Sequence, residues 1–545
     1  MRFLLLLLVF LLSLAARLPG IFTLGMNLNG PGTFQMVNYD ETNSCEAALG
    51  WLPYPSFIGR QILTVASWLG EPPAADLATT PGAAATLERS DPQAYGRGSW
   101  RAQTYCRSRT LVLLQRGYSA VAGALTVALV GLLGLLMWPE RPAIAWTACV
   151  VLGVSQFHVA ESHFATVDAA QVFFIVLLTV VLTYVVATGR RWPLLISPFF
   201  LAGAVLAKWD VFAVLAYAGL LPQLRRTRDA RRFSVFWVVG AVLVLCGLVI
   251  ALWNRDQISS TISQRWYLLW GDESGRFGTD YGHIGTWRRW IRNLTNVPIV
   301  LIVGLGLPAC LCIPYGVRRA WTTRAAWPLW AVQAPAFAYL LYMIVIGPVT
   351  YYRHYLPLLP TAALLSAYGL WESRWASRRA FLVLFFLYPF LLTLDSEYNY
   401  AHDPRHALRR WYTELGQPRF LFSYYVVPPP APPGTIALFN MDAYLQNGTD
   451  YLDGADYVIL SENWYDTAFP NELNGPLAWD PNWLIKTKPE YAVAYRKILS
   501  GQDPNLELET VFTLHHFTPE FLLHRCFYGT FQQFIGDLQI FRVKR

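Results

Sequence analysis

The feature that constrains this chain most is its repetition of long apolar runs, beginning with "LLLLLVFLLSLAARLPGIF" at the amino terminus. A run of about 17 to 25 apolar residues, wound as a helix, spans the hydrocarbon core of a bilayer. Spans of this kind are expected near 3–22, 110–137, 142–160, 167–188, 192–207, 210–223, 233–253, 294–316, 326–346, 355–371 and 379–396, about eleven in all. Lys208 and Asp210 divide the segment "AGAVLAKWDVFAVLAYAG" into two short runs, which can also be read as one kinked helix. With 54% hydrophobic and 14% charged residues, the expected fold class is an all-α polytopic membrane protein carrying a small α/β carboxy-terminal domain.

The arginines orient the spans. With the amino terminus inside, the inward loops hold Arg190 and Arg191, "RRTRDARR" at Arg225 to Arg232, Arg318, Arg319 and Arg324, and Arg374, Arg378 and Arg379. Cytoplasmic loops are the ones enriched in Lys and Arg. The outer face then receives the loop 23–109, the "ESHFATVD" and "KWD" turns, the loop 254–293, the "GPVTYYRH" turn and the tail from 397 onward. The net charge of +8 does not point to nucleic acid, because the basic residues fall in short groups between apolar runs rather than on one soluble face. The first span is read as an uncleaved anchor; a signal peptide cut near Ser13 to Ala15 is the other reading of the same run.

Within the first outer loop, "CEAALGWLPYPSFIGRQILTVASWLG" mixes apolar and aromatic residues at helical spacing, as expected of a helix in the membrane interface or of an ordinary packed loop helix. Residues 72–87 are rich in Pro and Ala and are expected to be flexible. The outer tail, 397–545, opens its strand-bearing part with the stiff "PPPAPPG". Strands are expected in "TIALFN", "DYVILS" and "DLQIFRV", and a helix in "YAVAYRKIL". No internal repeat of the kind found in transporters built from inverted halves is visible. Of the 7 cysteines, Cys149, Cys246, Cys310 and Cys312 fall in apolar spans, Cys526 has no evident mate, and Cys45 and Cys106 stand at opposite ends of the first outer loop, where an oxidising exterior allows them to pair. The sequons at Asn293 and Asn447 matter only in a eukaryotic setting.

Ionisable side chains are costly near hydrocarbon, and those that persist mark pathways or sites. The outer turns collect Asp40 and Glu41 side by side, then Glu161, His163 and Asp168, then Lys208 and Asp210, then Arg353 and His354, with Arg116 a turn or two inside the second span and His283 in "DYGHIGTW". Any one of these reads equally well as a snorkelling or headgroup-anchoring residue. Their recurrence at every outer turn, against inner loops that are mostly Arg, places the chemistry outside.

A first helix ending in "ARLPG", the following Asp-Glu pair, "RGYSAVAGALTVALV", the "SHFATVD" turn and "YYRHYLPLLPTAALLSAYGL" together resemble the GT-C superfamily. The nearer likeness is to its branch of protein O-mannosyltransferases and the lipid A aminoarabinose transferase, over most of residues 1–396. The resemblance implies a membrane enzyme moving a sugar from a polyprenyl-phosphate or dolichyl-phosphate carrier to a protein, lipid or glycan acceptor, by a single inverting displacement. It assigns Asp40 as the catalytic carboxylate with Glu41 as its neighbour. A positioned carboxylate can take the proton of an attacking hydroxyl. The leaving phosphate needs cations, for which Arg116 and Arg353 are expected, with Lys208 and His354 behind them. His163 and Asp168 match the second-turn motif and, with Glu161 and His283, are expected to line the sugar or acceptor site. The resemblance fixes no cofactor and leaves a divalent metal open, for which Asp40, Glu41, His163 and Asp168 are the ligand types to hand. The branch and the scarcity of Lys favour a bacterial inner membrane. A lipid or sugar transporter, or flippase, is the alternative from another class, since it too uses polytopic helices with intramembrane charge.

Overall fold

The computed structural model describes residues 2–23, 40–52, 54–71, 76–79, 83–208, 211–220, 286–323, 326–345, 352–423, 426, 428–429, 434–465, 468–469, 489–515 and 536–545. The protein is an integral, multi-pass membrane protein, mostly helical, with one small sheet. Among the described residues four helices are long and apolar enough to cross a bilayer unaided: Arg2–Thr23, Arg109–Met137, Asp168–Thr188 and Arg379–Glu414.

The other expected spans are broken or short. The run expected at 294–316 is two helices, Thr286–Leu305 and Leu307–Thr322, bent by 117°. Gly306 between them takes φ 88°, a left-handed conformation that glycine adopts without a Cβ clash, and Pro308 starts the second helix. The run 142–160 divides into Pro142–Gly153 and Gln156–Glu161, with Ser155 capping the second by accepting from the His158 N–H. Val211–Leu220 is a 3-10 element rather than an α-helix, and Tyr352–Leu358 is another, leading into Leu359–Glu372. The expected span 233–253 lies outside the described residues.

Small residues let the helices meet at backbone distance, as bilayer helices must when the surrounding lipid is as apolar as their side chains. A Cβ on Gly134 would overlap Ala145, which seats Pro142–Gly153 on Arg109–Met137; Cβ atoms on Gly316 and Gly369 would overlap the Leu365 and Cys312 carbonyls, which locks Leu307–Thr322 to Leu359–Glu372. One end of this bundle is closed by Glu372, which takes both Arg141 and Arg319, and by Trp371 Nε1 donating to Thr147 Oγ1 at 2.9 Å. Asp40 with Arg353, and Asp168 with Lys208, pair at the opposite end.

The loop after the first helix is tied there by a disulfide between Cys45 and Cys106. Its helix Phe57–Trp68 buries Ile58, Ile62 and Ala66 and leaves Trp68 and Leu69 exposed, the amphipathic pattern that the sequence suggests. Part of the stretch expected to be flexible is helical, Ala83–Ser90, because its alanines favour helix once the prolines end.

Five strands form a sheet in the order β2-β1-β3-β5-β4, with β1 Phe420–Phe422, β2 Ile436–Leu438, β3 Tyr457–Ser461, β4 Leu506–Phe512 and β5 Leu538–Val543. β1 pairs parallel with β2 and β3, whereas β5 runs antiparallel to both β3 and β4. Alternation along β3 sends Val458 and Leu460 into one apolar layer and Ile459 into the other. Beyond β4, Leu514 packs with Ala160, Phe164 and Tyr400 of the bundle, and Asn399 Nδ2 donates to the His515 carbonyl at 2.7 Å.

Candidate active site

Asp40 and Glu41 occupy the turn that enters the short helix Asn43–Ala48, whose Cys45 is anchored by the disulfide. Neighbours in sequence, they face different partners. Glu41 is fully buried: Arg116 donates to it from Nε at 2.7 Å and from Nη2 at 2.9 Å, a two-pronged pair, and the Ala165 N–H adds a third bond at 3.2 Å. Asp40, whose side chain is 24% exposed, pairs with Arg353 and accepts from Asn43 Nδ2 at 2.8 Å. Only Asp40 of the two is therefore reachable by a reactant.

Asp168, in the first turn of Asp168–Thr188, pairs with Lys208 at the last residue of Ser197–Lys208. Arg353 lies within electrostatic reach of Asp40, Asp168 and Glu161 together, and His354 within reach of Asp168. Four separate segments thus converge on one cluster of three carboxylates and two strong cations. Glu161 is the carboxylate left over: it is buried, and among the described residues neither of its oxygens has a hydrogen-bond partner.

Burial pushes the Glu161 carboxyl well above the ordinary range, and Asp168 pushes it the same way against the pull of Arg353 and Lys208. A proton held more tightly in the folded than in the unfolded state means that stability falls as pH rises from the ordinary carboxylate range towards the raised value. The unfolding temperature of the protein in lipid discs is expected to decline over that window, and Glu161→Gln, which carries no titrating proton, should flatten the decline. An equal slope in both proteins would remove Glu161 from this role.

The structure adds a residue that the sequence reading passed over. The Tyr54 phenol is raised well above its usual range, first by burial and then by Asp40 and Asp168, which lie within electrostatic reach of it. Its only signal in the sequence is membership of an aromatic loop stretch, which has no bearing on chemistry.

Other expected members stand elsewhere. Arg116 is sealed on Glu41 and is not positioned to meet a ligand phosphate. His163 turns to the far side of its own turn, where Nε2 lies 3.3 Å from Glu397 Oε1 and the ring meets Tyr400 edge-on at 5.4 Å. Nearby, Arg17 Nη2 lies 2.6 Å from His158 Nδ1, and because guanidinium only donates, this imidazole nitrogen accepts. His283 and Asp210 lie outside the described residues. The set Asp40, Glu41, His163 and Asp168 does not converge as a metal site, since Glu41 is taken by Arg116 and His163 faces Glu397; among the described residues no three His, Cys, Asp or Glu side chains are grouped to hold an ion.

Residues 95–237 match the profile of the PMT family, dolichyl-phosphate-mannose-protein mannosyltransferase, a stretch that includes Arg116, Glu161, His163, Asp168 and Lys208. The resemblance read from the sequence is borne out in this match. No curated protein sequence matches the chain. Among solved structures, the chain is similar to the apo oligosaccharyltransferase of Archaeoglobus fulgidus, at 12% identity over 91% of this chain and 72% of that one, TM-score 0.46. It is also similar to ArnT from Cupriavidus metallidurans bound to undecaprenyl phosphate, at 12% identity over 88% and 96%, TM-score 0.40. The arabinofuranosyltransferase AftD from mycobacteria follows at 13% identity over 100% and 40%, TM-score 0.33.

Proposed function

We propose that this membrane glycosyltransferase of GT-C type moves a sugar from a polyprenyl-phosphate or dolichyl-phosphate carrier to an acceptor hydroxyl, by one inverting displacement with Asp40 as base. The observation that carries the reading is the pairing of a reachable carboxylate, Asp40, with Arg353 at the bundle end where Asp168, Lys208 and Glu161 also gather.

The acceptor oxygen attacks the anomeric carbon as its proton passes to Asp40, and the bond from that carbon to the phosphate oxygen breaks with its electron pair staying on the lipid phosphate. Arg353 and Lys208, with His354 near, meet the charge that builds there. The two events are linked: once Asp40 is protonated it holds Arg353 less strongly, so the guanidinium becomes available to the departing phosphate at the moment it is needed. Asp168 keeps Lys208 at the site, and Glu161 lies within electrostatic reach of Asp168 and Arg353. Glu41 and Arg116 brace the turn that carries Asp40.

The apolar helices give the carrier's prenyl chain a place in the bilayer, with its head at this end of the bundle. The arginine asymmetry supports an extracytoplasmic site in a bacterial plasma membrane, with residues 397–545 on the same side as a separate α/β domain.

The test is transfer of labelled sugar from a panel of polyprenyl-phosphate sugars by the purified chain in lipid. A new glycosidic product with inverted configuration is expected. Movement of a labelled lipid or sugar across the membrane without a new bond would favour the transporter reading instead.

A further inference from the structure

We infer that the end of the bundle away from Asp40 is a recognition surface for the headgroups of anionic phospholipids, built on arginines that Glu372 and a set of aromatic rings draw together from separate segments. The helices fix where this surface lies. Arg109–Met137 carries Arg116 near its start and leads to Arg141 just past its end, and Asp168–Thr188 runs from the pair of Asp168 with Lys208 to Arg190 and Arg191. The 21 residues of Asp168–Thr188 cover about 30 Å as a helix, which is the thickness of the hydrocarbon core. The arginines therefore stand in the headgroup layer opposite the one that holds Asp40 and Asp168.

Arg141 and Arg319 both donate to Glu372, Arg319 from Nε at 2.7 Å, and Arg141 Nη2 also reaches the Trp371 carbonyl at 3.3 Å. Their side chains nevertheless remain 45% and 54% exposed, so each guanidinium keeps an edge open to a ligand. Tyr315, one turn before Arg318 and Arg319, meets Trp375 with 5.1 Å between ring centroids, and Trp375 meets Phe381 at 4.9 Å. Those ring contacts bring Arg374, beside Trp375, and Arg378 and Arg379, at the start of Arg379–Ala401, up to the end of Leu307–Thr322. Arg318, Arg374, Arg378 and Arg379 are exposed as well.

Against these arginines the segments 139–142, 318–323 and 372–380 carry only Glu140 and Glu372 as acids. Glu372 is already shared between Arg141 and Arg319, and among the described residues no acid pairs with Arg318, Arg374, Arg378 or Arg379. Like charges less than about 10 Å apart are poorly screened and repel, so an anion seated among them lowers the energy of the surface. A phosphate diester suits it, because its two free oxygens match the fork of a guanidinium. The aromatic rings assign that phosphate to a lipid. Trp321, two residues past Arg319, is 73% exposed and lies 5.5 Å from Trp327, itself 47% exposed, and exposed tryptophans settle at headgroup depth. A zwitterionic headgroup offers the same phosphate but brings an ammonium that the arginines repel, so the surface selects for net negative charge. Because Glu372 already holds two of the guanidiniums, less freedom is lost when the headgroup binds.

Native mass spectrometry of the full chain in detergent, titrated with phosphatidylglycerol or with phosphatidylcholine, compares the two affinities. Phosphatidylglycerol is expected to bind roughly 10-fold or more tightly, with a preference that shrinks as salt rises. A variant combining Arg318→Gln, Arg374→Gln and Arg378→Gln leaves both Glu372 pairs in place. Each substitution is expected to weaken phosphatidylglycerol about fivefold and to leave phosphatidylcholine unchanged. In lipid discs, phosphatidylglycerol should raise the unfolding temperature of the wild-type protein above its value in phosphatidylcholine, and raise that of the variant less. Arg374→Gln alone reads the same loss, at about fivefold, where the combined variant does not fold. Equal affinity for the two lipids in the wild-type protein, or an undiminished preference in the variants, would overturn the inference. So would equal protection from unfolding by glycerophosphoglycerol, the same headgroup without its acyl chains, at the same concentration.

Discussion

Asp40→Asn is expected to lower sugar transfer by about 100-fold or more, the loss associated with removing a general base, while the unfolding temperature stays close to that of the wild-type protein. Asparagine keeps the shape of the side chain and an oxygen that can accept from Asn43, but it cannot take a proton from the acceptor. Asp40 is partly open to solvent, and Asp168 and Glu161 stay within electrostatic reach of Arg353, so exchanging charge for amide there does not strand the guanidinium. The fall should appear in kcat, because proton removal belongs to the transition state rather than to donor binding. Turnover within about tenfold of wild type in a folded variant would contradict the assignment. Asp168 and Glu161 would then be the carboxylates to test, since Glu41 is closed off by Arg116.

Arg116→Met is expected to act on stability instead, by about 3–5 kcal/mol, because it strands the Glu41 carboxylate in the interior without its cation. Both side chains have no exposed surface, so water cannot take over the lost bonds. The Ala165 N–H would stay on Glu41. Pairing the substitution with Glu41→Gln should return much of the loss, since no unpaired charge is then left, and a double-mutant cycle measures the coupling directly. Unfolding in lipid discs, followed for the four proteins, reads the effect. A stable Arg116→Met protein whose only defect is a raised KM for the lipid-linked sugar would reinstate Arg116 as the phosphate-binding residue expected from the sequence.

The contrast between these two variants bears on what can be read from a linear chain. Asp40 and Glu41 are adjacent carboxylates of nearly equal chemistry, and no local property ranks them. One residue of backbone rotation aims Glu41 at a helix 75 positions away and Asp40 at Arg353, much farther along the chain. His163 and Asp168 likewise share a short motif, yet one faces the last apolar helix and the other faces Lys208.

The amino-acid sequence by itself determined the membrane character, most of the apolar segments, the turns where ionisable residues collect and three of the five strands, and it left the pairing of Cys45 with Cys106 open. These follow from quantities that add up locally: hydropathy over a helix length, strand-forming runs between turn residues, and the positions of charges relative to apolar runs. The tertiary structure alone decided the sharp bend at Gly306, the breaking of several runs into shorter elements, the sealing of Glu41 by Arg116 and the closing of the Cys45–Cys106 disulfide. Each depends on which helices touch, and charge pairing is set by separations of a few ångströms between residues that the sequence holds far apart.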